Sequence, residues 1–287
     1  MQLEHFSDIS AYQQGVQGFL AEDEVANGML LGMVMSARPR RGVRHKPYLV
    51  RLDDNEGPLL AAAMLNPRRL LLSSHRAVPP AAFKLLARDL HSNGRRVPTV
   101  FGPADMSGAF ANAWARLTGF SPRPGLRQRL LELERVAFPP TLPGGCLRSA
   151  TPDDTEQIAQ WVVDFQAETV PGGETDIASA QAIVTRLISG GDLFLWENGE
   201  PLSMAAKARP TLQTIAINLV YTPPEQRGHG YASACVAHLS QQLLDEGYKR
   251  CTLFTNSTNR TSNHIYQDIG YRPIMDYLEY EFIRRDR

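Results

Sequence analysis

The chain has 287 residues, 43% hydrophobic and 21% charged, and its 30 basic and 30 acidic residues cancel. This composition is typical of a globular protein with about two domains, and it excludes a disordered chain. Because there is no net charge, neither nucleic acid nor an anionic membrane is an expected partner. The 3 cysteines are widely spaced and form no Cys-x-x-Cys pair, so neither a disulfide framework nor a bound metal is expected.

The N-terminus lacks the basic start and apolar core of a signal peptide. The apolar run from Met29 to Met35 is too short to cross a bilayer. We therefore expect a cytoplasmic protein with reduced thiols.

Residues 1–137 predict an accessory N-terminal α/β domain. Apolar residues at three- and four-residue intervals predict a helix or helical pair over 3–27, ended by Asn27-Gly28. Further strands are expected at 48–53, 57–65, 70–74, 97–101 and 127–136, and further helices at 80–90 and 104–117. Gly102-Pro103 is the nearest approach to a Gly-rich strand-to-helix turn, and its proline removes a backbone donor. We find no catalytic constellation in this half.

Residues 138–145 are the densest Pro/Gly segment and predict a linker, so that residues 146–287 form the second domain. This domain begins with a short strand and two helices. Asn198-Gly199 then predicts a hairpin between strands at 192–197 and 202–207.

The stretch from Ile215 to Leu244 predicts a strand, a turn with two glycines and a helix. Such a turn leaves the first backbone N–H groups of the helix without partners, at the positive end of the helix dipole. Gly228 and Gly230 allow a ligand to approach the backbone closely, and Arg227 adds positive charge. The pattern therefore predicts an anion site, most naturally for a phosphate or pyrophosphate. A strand at 250–255, a helix at 261–269 with Gly270 as its C-cap, and a strand at 277–282 follow.

Two motifs in this half resemble those of the GCN5-related N-acetyltransferase (GNAT) superfamily. The family's acetyl-CoA signature, Gln/Arg-x-x-Gly-x-Gly/Ala, is matched by Arg227-Gly228-His229-Gly230-Tyr231-Ala232. The family's late segment, an asparagine followed by a Tyr-x-x-aliphatic-Gly-Phe/Tyr run, is matched from Asn259 to Tyr271. The resemblance covers residues 147–283 and implies a mixed α/β (α+β) fold with a splayed central sheet flanked by helices. The N-terminal half resembles the signature-less domain of two-domain members, which is itself interpreted as a degenerate copy.

The resemblance implies a role for each matched residue. The pyrophosphate is expected on the backbone amides of Arg227, Gly228, His229, Gly230, Tyr231 and Ala232. The backbone of Leu219, Val220 and Tyr221 is expected to pair with the pantetheine arm and to polarise the thioester carbonyl. Asn259 matches the asparagine that contacts this arm, and Tyr266 matches the general acid toward the departing thiolate.

Two of these residues also have ordinary structural interpretations. Arg227 could be a surface residue paired with Glu225, and Tyr266 could be a core aromatic packed against Ile269. The general base is unassigned, because the strand before the signature carries Asn218 where many members have a glutamate. Glu168 and Glu174 are candidates for that role.

These observations predict an acetyl-CoA-dependent N-acetyltransferase that acts by direct attack of a primary amine in a ternary complex. The amine is a small molecule or a peptide, and homodimerisation is left open. A transferase with another thioester donor, such as an acyl or aminoacyl thioester, is one alternative, and a non-catalytic CoA-binding regulatory module is another. A Rossmann domain is disfavoured because the third glycine of its fingerprint is missing.

Overall fold

The computed structural model describes residues 1–37, 46–169 and 175–284. The chain divides into two compact units: unit 1 comprises Met1–Leu130 and Ile274–Arg287, and unit 2 comprises Leu131–Pro273. Each half of the chain has the same succession of elements, namely a strand, two helices, three strands, a helix, a strand, a helix and a strand. The predicted α/β class, with a second copy of the same fold, is confirmed.

Unit 1 contains the first nine elements and parts of two long strands. In chain order these are β1 (Gln2–His5), α1 (Ile9–Ala21), α2 (Glu24–Met35), β2 (Tyr48–Asp54), β3 (Gly57–Asn66), β4 (Arg69–Ser73), α3 (Pro80–Ser92), β5 (Thr99–Pro103), α4 (Ala104–Thr118), β6 (Ser121–Leu133) up to Leu130, and β12 (Arg272–Ile283) from Ile274 onward.

The sheet of unit 1 follows the order β1-β2-β3-β4-β5-β12. Its neighbours are antiparallel except for β4 and β5, which run parallel from Arg69↔Thr99 to Leu71↔Phe101. Phe83 of α3 and Phe110 of α4 are buried in one core cluster with residues of this sheet. The carboxyl ends of neighbouring parallel strands are where ligands commonly bind in open α/β sheets.

The prediction that Asn27-Gly28 ends a helix is wrong. Helix α2 runs through both residues, and Asn27 is completely buried. Its side-chain amide donates to the Leu20 carbonyl at 3.1 Å, and its oxygen accepts from the Ser73 hydroxyl at 2.8 Å. These tertiary hydrogen bonds satisfy the polar side chain and outweigh the turn preference of the dipeptide.

We expect Asn27→Ala to lower the free energy of unfolding by about 1–3 kcal/mol, because it leaves two buried polar groups unpartnered. The readout is the denaturant midpoint followed by circular dichroism. The matched control is Asn93→Ala at the exposed end of α3, where we expect a change below about 0.5 kcal/mol. Equal midpoints for the two variants would contradict this account of α2.

Unit 2 contains the remaining elements. In chain order they are the end of β6 from Leu131, β7 (Cys146–Ser149), α5 (Thr155–Thr169), α6 (Ile177–Ser189), β8 (Leu193–Glu197), β9 (Pro201–Ala208), β10 (Thr214–Tyr221), α7 (Tyr231–Asp245), β11 (Arg250–Asn256) and α8 (Arg260–Ile269). The hairpin across Asn198-Gly199 is confirmed, and Gly199 has a φ of 79°. The predicted C-cap at Gly270 is also confirmed, with a φ of 108°.

The sheet of unit 2 follows the order β11-β10-β9-β8-β7 beside the end of β6. A cluster on one face joins the sheet to α7 and α8, and it includes Cys235 and Tyr266. A second cluster on the other face joins the sheet to α5 and α6, and it includes Trp161 and Tyr221. Strand β10 therefore lies between two cores, and its carboxyl end has helices on both sides.

That residues 138–145 form a linker between two domains stays a prediction. The two compact units of the structure have other limits, at β6 and at β12. Residues 131–137 belong to unit 2, where the Ala137 N–H donates to the Ile269 carbonyl at 2.7 Å. Strand β12 from Ile274 onward belongs to unit 1, because Tyr277 to Glu281 pair antiparallel with β5.

Within the described ranges, no helix has the length and apolar character needed to cross a membrane.

Candidate functional site

The turn between β10 and α7 forms a cradle of backbone amides. Gly228 and Gly230 have φ values of 83° and 80°, in the left-handed region that glycine adopts without strain. Gly230 is the N-cap of α7, and the Ala234 N–H donates to its carbonyl at 3.0 Å. The amides of residues 231–233 precede this first helical hydrogen bond, so they are the unpaired donors expected at a helix start. His229 is exposed, and its ring lies 5.7 Å from that of Tyr231.

A bulge interrupts β10 just before this cradle. Strand β10 pairs with β9 at Asn218↔Ala206 and again at Tyr221↔Met204, so it has one extra residue between these pairs. Leu219 takes up the extra residue with a φ of 49°. The parallel pairing with β11 runs only to Ile217↔Leu253, whereas β10 continues to Tyr221. The backbone at Leu219 and Val220 therefore departs from both ladders, next to the cradle.

The corresponding place in unit 1, between β4 and α3, is closed. Helix α3 begins at Pro80 directly after Pro79, and neither residue has a backbone N–H to offer. A Cβ on Gly102 would lie 3.0 Å from Leu72 Cβ, so β4 and β5 remain in contact there. Arg76 in this turn is held by both carboxylate oxygens of Asp54. Of the two corresponding turns, both within the described residues, the one in unit 2 combines a glycine cradle with an open strand end.

The segment 138–145 is a strap on unit 2 that passes along α7 toward the cradle. Phe138 packs on His238 of α7 with a ring distance of 5.1 Å. Pro143 faces the cradle glycine Gly230, where a Cβ would lie 3.7 Å from its ring. Trp196 Nε1 donates to the Gly144 carbonyl at 3.1 Å and holds the end of the strap. The strap thus forms one side of the cradle.

Gly145 and Gly144 offer a matched test of the strap. Gly145 has a φ of 122°, and a Cβ there would lie 2.4 Å from the Glu197 carbonyl oxygen. We expect Gly145→Ala to destabilise unit 2 by about 1–3 kcal/mol through backbone strain. Gly144→Ala meets only the end of the Asn198 side chain, at 3.4 Å, and should cost below about 0.5 kcal/mol. Thermal unfolding checks both, and equal losses would contradict the role of the Gly145 conformation.

Arg227 is paired, and its partner is Glu168 rather than Glu225. Its Nη2 donates to both carboxylate oxygens of Glu168, at 2.8 and 2.9 Å. Its Nε donates to the Thr222 carbonyl at 2.9 Å, and its guanidinium lies 5.7 Å from the centre of the Tyr221 ring. The positive charge that the sequence assigns to the anion site is therefore compensated by a carboxylate of α5.

Tyr266 lies in the core between the sheet, α7 and α8, and is 8% exposed. Its ring packs edge-on against Tyr271 at 6.0 Å, and Ile269 belongs to the same cluster. Burial raises the pKa of Tyr266 above its ordinary value, and Cys235 contributes to the rise. The phenol therefore stays protonated at neutral pH, as a general acid must, although it is a weaker acid than the ordinary phenol assumed from the sequence.

Asn259 is the N-cap of α8, where its side-chain oxygen accepts from the Ser262 N–H at 3.1 Å. Asn218, on the bulged strand, has a buried side-chain oxygen with no hydrogen-bond partner among the residues described. Glu174, one candidate base, lies outside the described residues. Glu168, the other candidate, is engaged by Arg227, a pairing that sequence reasoning missed because the two residues are 59 positions apart.

Asp164 is a further acid that the sequence did not single out. It lies on α5 one turn before Glu168 and accepts from the Gln160 side chain at 2.9 Å. Burial raises the pKa of Tyr221, and the charges of Asp164 and Glu168 raise it further. Because Arg227 neutralises Glu168, the negative charge that α5 brings near Tyr221 comes mainly from Asp164. In the part of the chain that the structure describes, no group of three or more His, Cys, Asp or Glu side chains could hold a metal ion.

Residues 197–282 match the family model described as FR47-like protein. A GNAT-family acetyltransferase from Colwellia psychrerythraea is similar over 98% of this chain and 100% of its own, with a TM-score of 0.61 and 15% identity. A GCN5-related N-acetyltransferase from Sphaerobacter thermophilus covers 99% and 97%, with a TM-score of 0.64 and 16% identity. The chain has the GNAT fold. Comparison with functionally curated sequences gives no match.

A tandem GNAT protein from the clavulanic acid biosynthesis pathway is similar over 97% of this chain and 98% of its own, with a TM-score of 0.54 and 15% identity. Similarity along both halves agrees with the repeated element order. The resemblance to the GNAT superfamily predicted from the two motifs is therefore confirmed. The FR47-like match begins at β8 and includes the bulge, the cradle and Tyr266, all of which lie in the GNAT copy of unit 2.

Proposed function

We propose that the protein is an acyltransferase that moves the acetyl group of acetyl-CoA to a primary amine, and that unit 2 performs the reaction. One observation carries the proposal, namely the contrast between the two copies of the fold. Unit 2 has an open amide cradle beside a bulged strand, and unit 1 has a closed turn with two prolines in the same place. A surface that binds a pyrophosphate and an extended thioester arm needs both features of unit 2.

The residues of the cradle suit the proposed co-substrate. The backbone amides from Arg227 to Ala232 would hold the pyrophosphate at the start of α7. The backbone at Leu219, Val220 and Tyr221 would pair with the amides of the pantetheine arm, since the bulge frees it from the neighbouring strands. The side-chain amide of Asn259 would contact the same arm from the start of α8.

The chemistry that follows is a direct transfer. A backbone N–H at the bulge donates to the thioester carbonyl and stabilises the oxyanion that develops as the amine attacks. The new C–N bond forms, the C–S bond breaks, and Tyr266 donates its proton to the departing sulfur. The ammonium form of the amine releases one proton to solvent water before the attack and a second as the amide forms, because β10 carries Asn218 in place of a carboxylate. Tyr266 then recovers its proton from solvent. The charge of Asp164 on α5 favours the approach of the cationic amine.

Titration calorimetry with acetyl-CoA, followed by a thiol-release assay with a panel of small amines and peptides, tests the proposal. We expect one acetyl-CoA bound per chain, because the turn of unit 1 is closed, and thiol release that depends on an amine. Two acetyl-CoA molecules per chain would contradict the assignment to unit 2 alone. Absence of binding would overturn the proposal as a whole.

Two alternatives give different results in the same assay. A transferase with another thioester donor would release thiol from a longer acyl-CoA or an aminoacyl thioester and not from acetyl-CoA. A CoA-binding regulatory module would bind one acetyl-CoA and release no thiol with any amine. The carboxylate missing from β10 is the feature that favours the module.

A further inference from the structure

Arg227 links three parts of unit 2 through one planar group. Its Nη2 holds both oxygens of Glu168 in the last turn of α5. Its Nε holds the Thr222 carbonyl just after β10. Its face lies over the ring of Tyr221, whose other neighbour is Trp161 of α5, with a ring distance of 6.3 Å. A guanidinium is suited to this arrangement because its donors are fixed in one plane and its face stacks on aromatic rings.

The contacts of Arg227 have two mechanical consequences. The bond to Thr222 joins the two ends of the short helical turn at Pro224–Gln226, so it restrains the backbone that leads into the cradle. The bond to Glu168 ties this turn to α5, the helix that lies beside the bulged end of β10. The Glu168–Arg227 pair therefore fixes the position of the amide cradle relative to α5.

We propose that Glu168 and Arg227 form a clamp that positions the amine acceptor relative to the thioester. This inference rests on the proposed function, since it concerns the acceptor side of the same site. The cradle binds the donor through backbone amides, which leaves the Arg227 side chain free to hold α5. Both carboxylate oxygens of Glu168 accept hydrogen bonds from Arg227. Glu168 therefore acts as a positioning residue and not as the general base. The acceptor is an amine, and Asp164, one turn before Glu168 on α5, supplies the negative charge that attracts it.

Steady-state kinetics of Glu168→Gln, Arg227→Ala and the double variant test the clamp. Both single variants should raise KM for the amine by about two- to fivefold, within the range expected when a half-exposed ion pair is lost. For Glu168→Gln, kcat and KM for acetyl-CoA should stay within about twofold, since the donor is held by the backbone. The double variant should be no worse than Arg227→Ala alone, because the two residues act as one unit.

Glu225→Gln is the matched control. It also replaces a glutamate near Arg227 by glutamine, but it leaves the Glu168–Arg227 pair intact. We expect its kinetic constants to equal those of the wild type. A loss of kcat of about 100-fold in Glu168→Gln, together with loss of the acidic limb of the pH–rate profile, would make Glu168 the general base and overturn the clamp. Additive effects on KM in the double variant would also overturn it.

The failure of the clamp and the failure of the proposed function give different results. If the wild type neither binds acetyl-CoA nor releases thiol, the proposed function fails, and the positioning of the acceptor fails with it. Thermal unfolding then reports only whether the two side chains hold α5 to the turn. Non-additive shifts of the midpoint in the same double-mutant cycle would show that the pair holds α5 to the turn. Additive shifts would show that it does not. If the wild type is active and the cycle is additive, only the clamp is wrong.

Discussion

Tyr266→Phe is expected to lower kcat by about 100- to 10,000-fold, the contribution typical of a positioned general acid. The Kd of acetyl-CoA should change by less than about twofold, because phenylalanine keeps the ring that packs against Tyr271. Removal of the hydroxyl takes away only the proton that the departing sulfur receives. Calorimetry and single-turnover kinetics measure the two quantities separately.

Tyr271→Phe is the matched control for this prediction. Tyr271 is a buried tyrosine of the same cluster, and its hydroxyl lies 2.9 Å from the Ser240 hydroxyl. We expect it to lower the stability of the protein by about 1 kcal/mol through the lost hydrogen bond and to leave kcat unchanged within about threefold. If Tyr266→Phe behaved in the same way, Tyr266 would be a core aromatic and another group would protonate the thiolate.

Ala232→Glu is expected to raise the Kd of acetyl-CoA by about 100-fold or more, because it brings a negative charge to the proposed pyrophosphate site. Ala232 is the second residue of α7, where an acidic side chain interacts favourably with the helix dipole. The thermal midpoint should therefore stay unchanged or rise. Loss of ligand binding without loss of stability identifies the start of α7 as the binding surface.

Ala232→Gln separates the effect of charge from that of size. Glutamine has nearly the shape of glutamate and no charge, so the Kd should rise by about tenfold or less. The comparison is made by calorimetry at two salt concentrations, because the charge effect should weaken as salt screens it. Equal Kd values for the two variants would place the pyrophosphate elsewhere.

Local pattern was sufficient for most of the elements. The turn dipeptide at Asn198-Gly199 and the C-cap at Gly270 both need a left-handed backbone, which glycine supplies at little cost. The order of strand, glycine turn and helix around Gly230 likewise follows from residues close in sequence. Such features are predictable because the interactions that stabilise them join neighbours along the chain.

Asn27 shows where local pattern is insufficient. An Asn-Gly pair favours a turn when its side chain faces water, yet in this protein the Asn27 side chain is buried against Leu20 and Ser73. Ser73 is 46 positions away, so no window of sequence around Asn27 contains the partner. These tertiary hydrogen bonds outweigh the turn preference of the Asn-Gly dipeptide, so the dipeptide is helical in this protein.

Residues close in sequence were enough to predict the GNAT resemblance, the position of the cradle between β10 and α7, and the residues of both motifs. Each of these features depends on residue types at short, regular spacing, because the backbone geometry of a strand, a turn or a helix joins residues that are close in sequence. Three further properties depend on contacts between distant parts of the chain and are visible only in the folded structure. It shows that the turn of unit 1 is closed by contact between β4 and β5, and that the strap ends against Trp196. It also pairs the charge of Arg227 with Glu168 across 59 residues. Each depends on atoms brought together by packing between distant elements, which spacing along the chain does not encode.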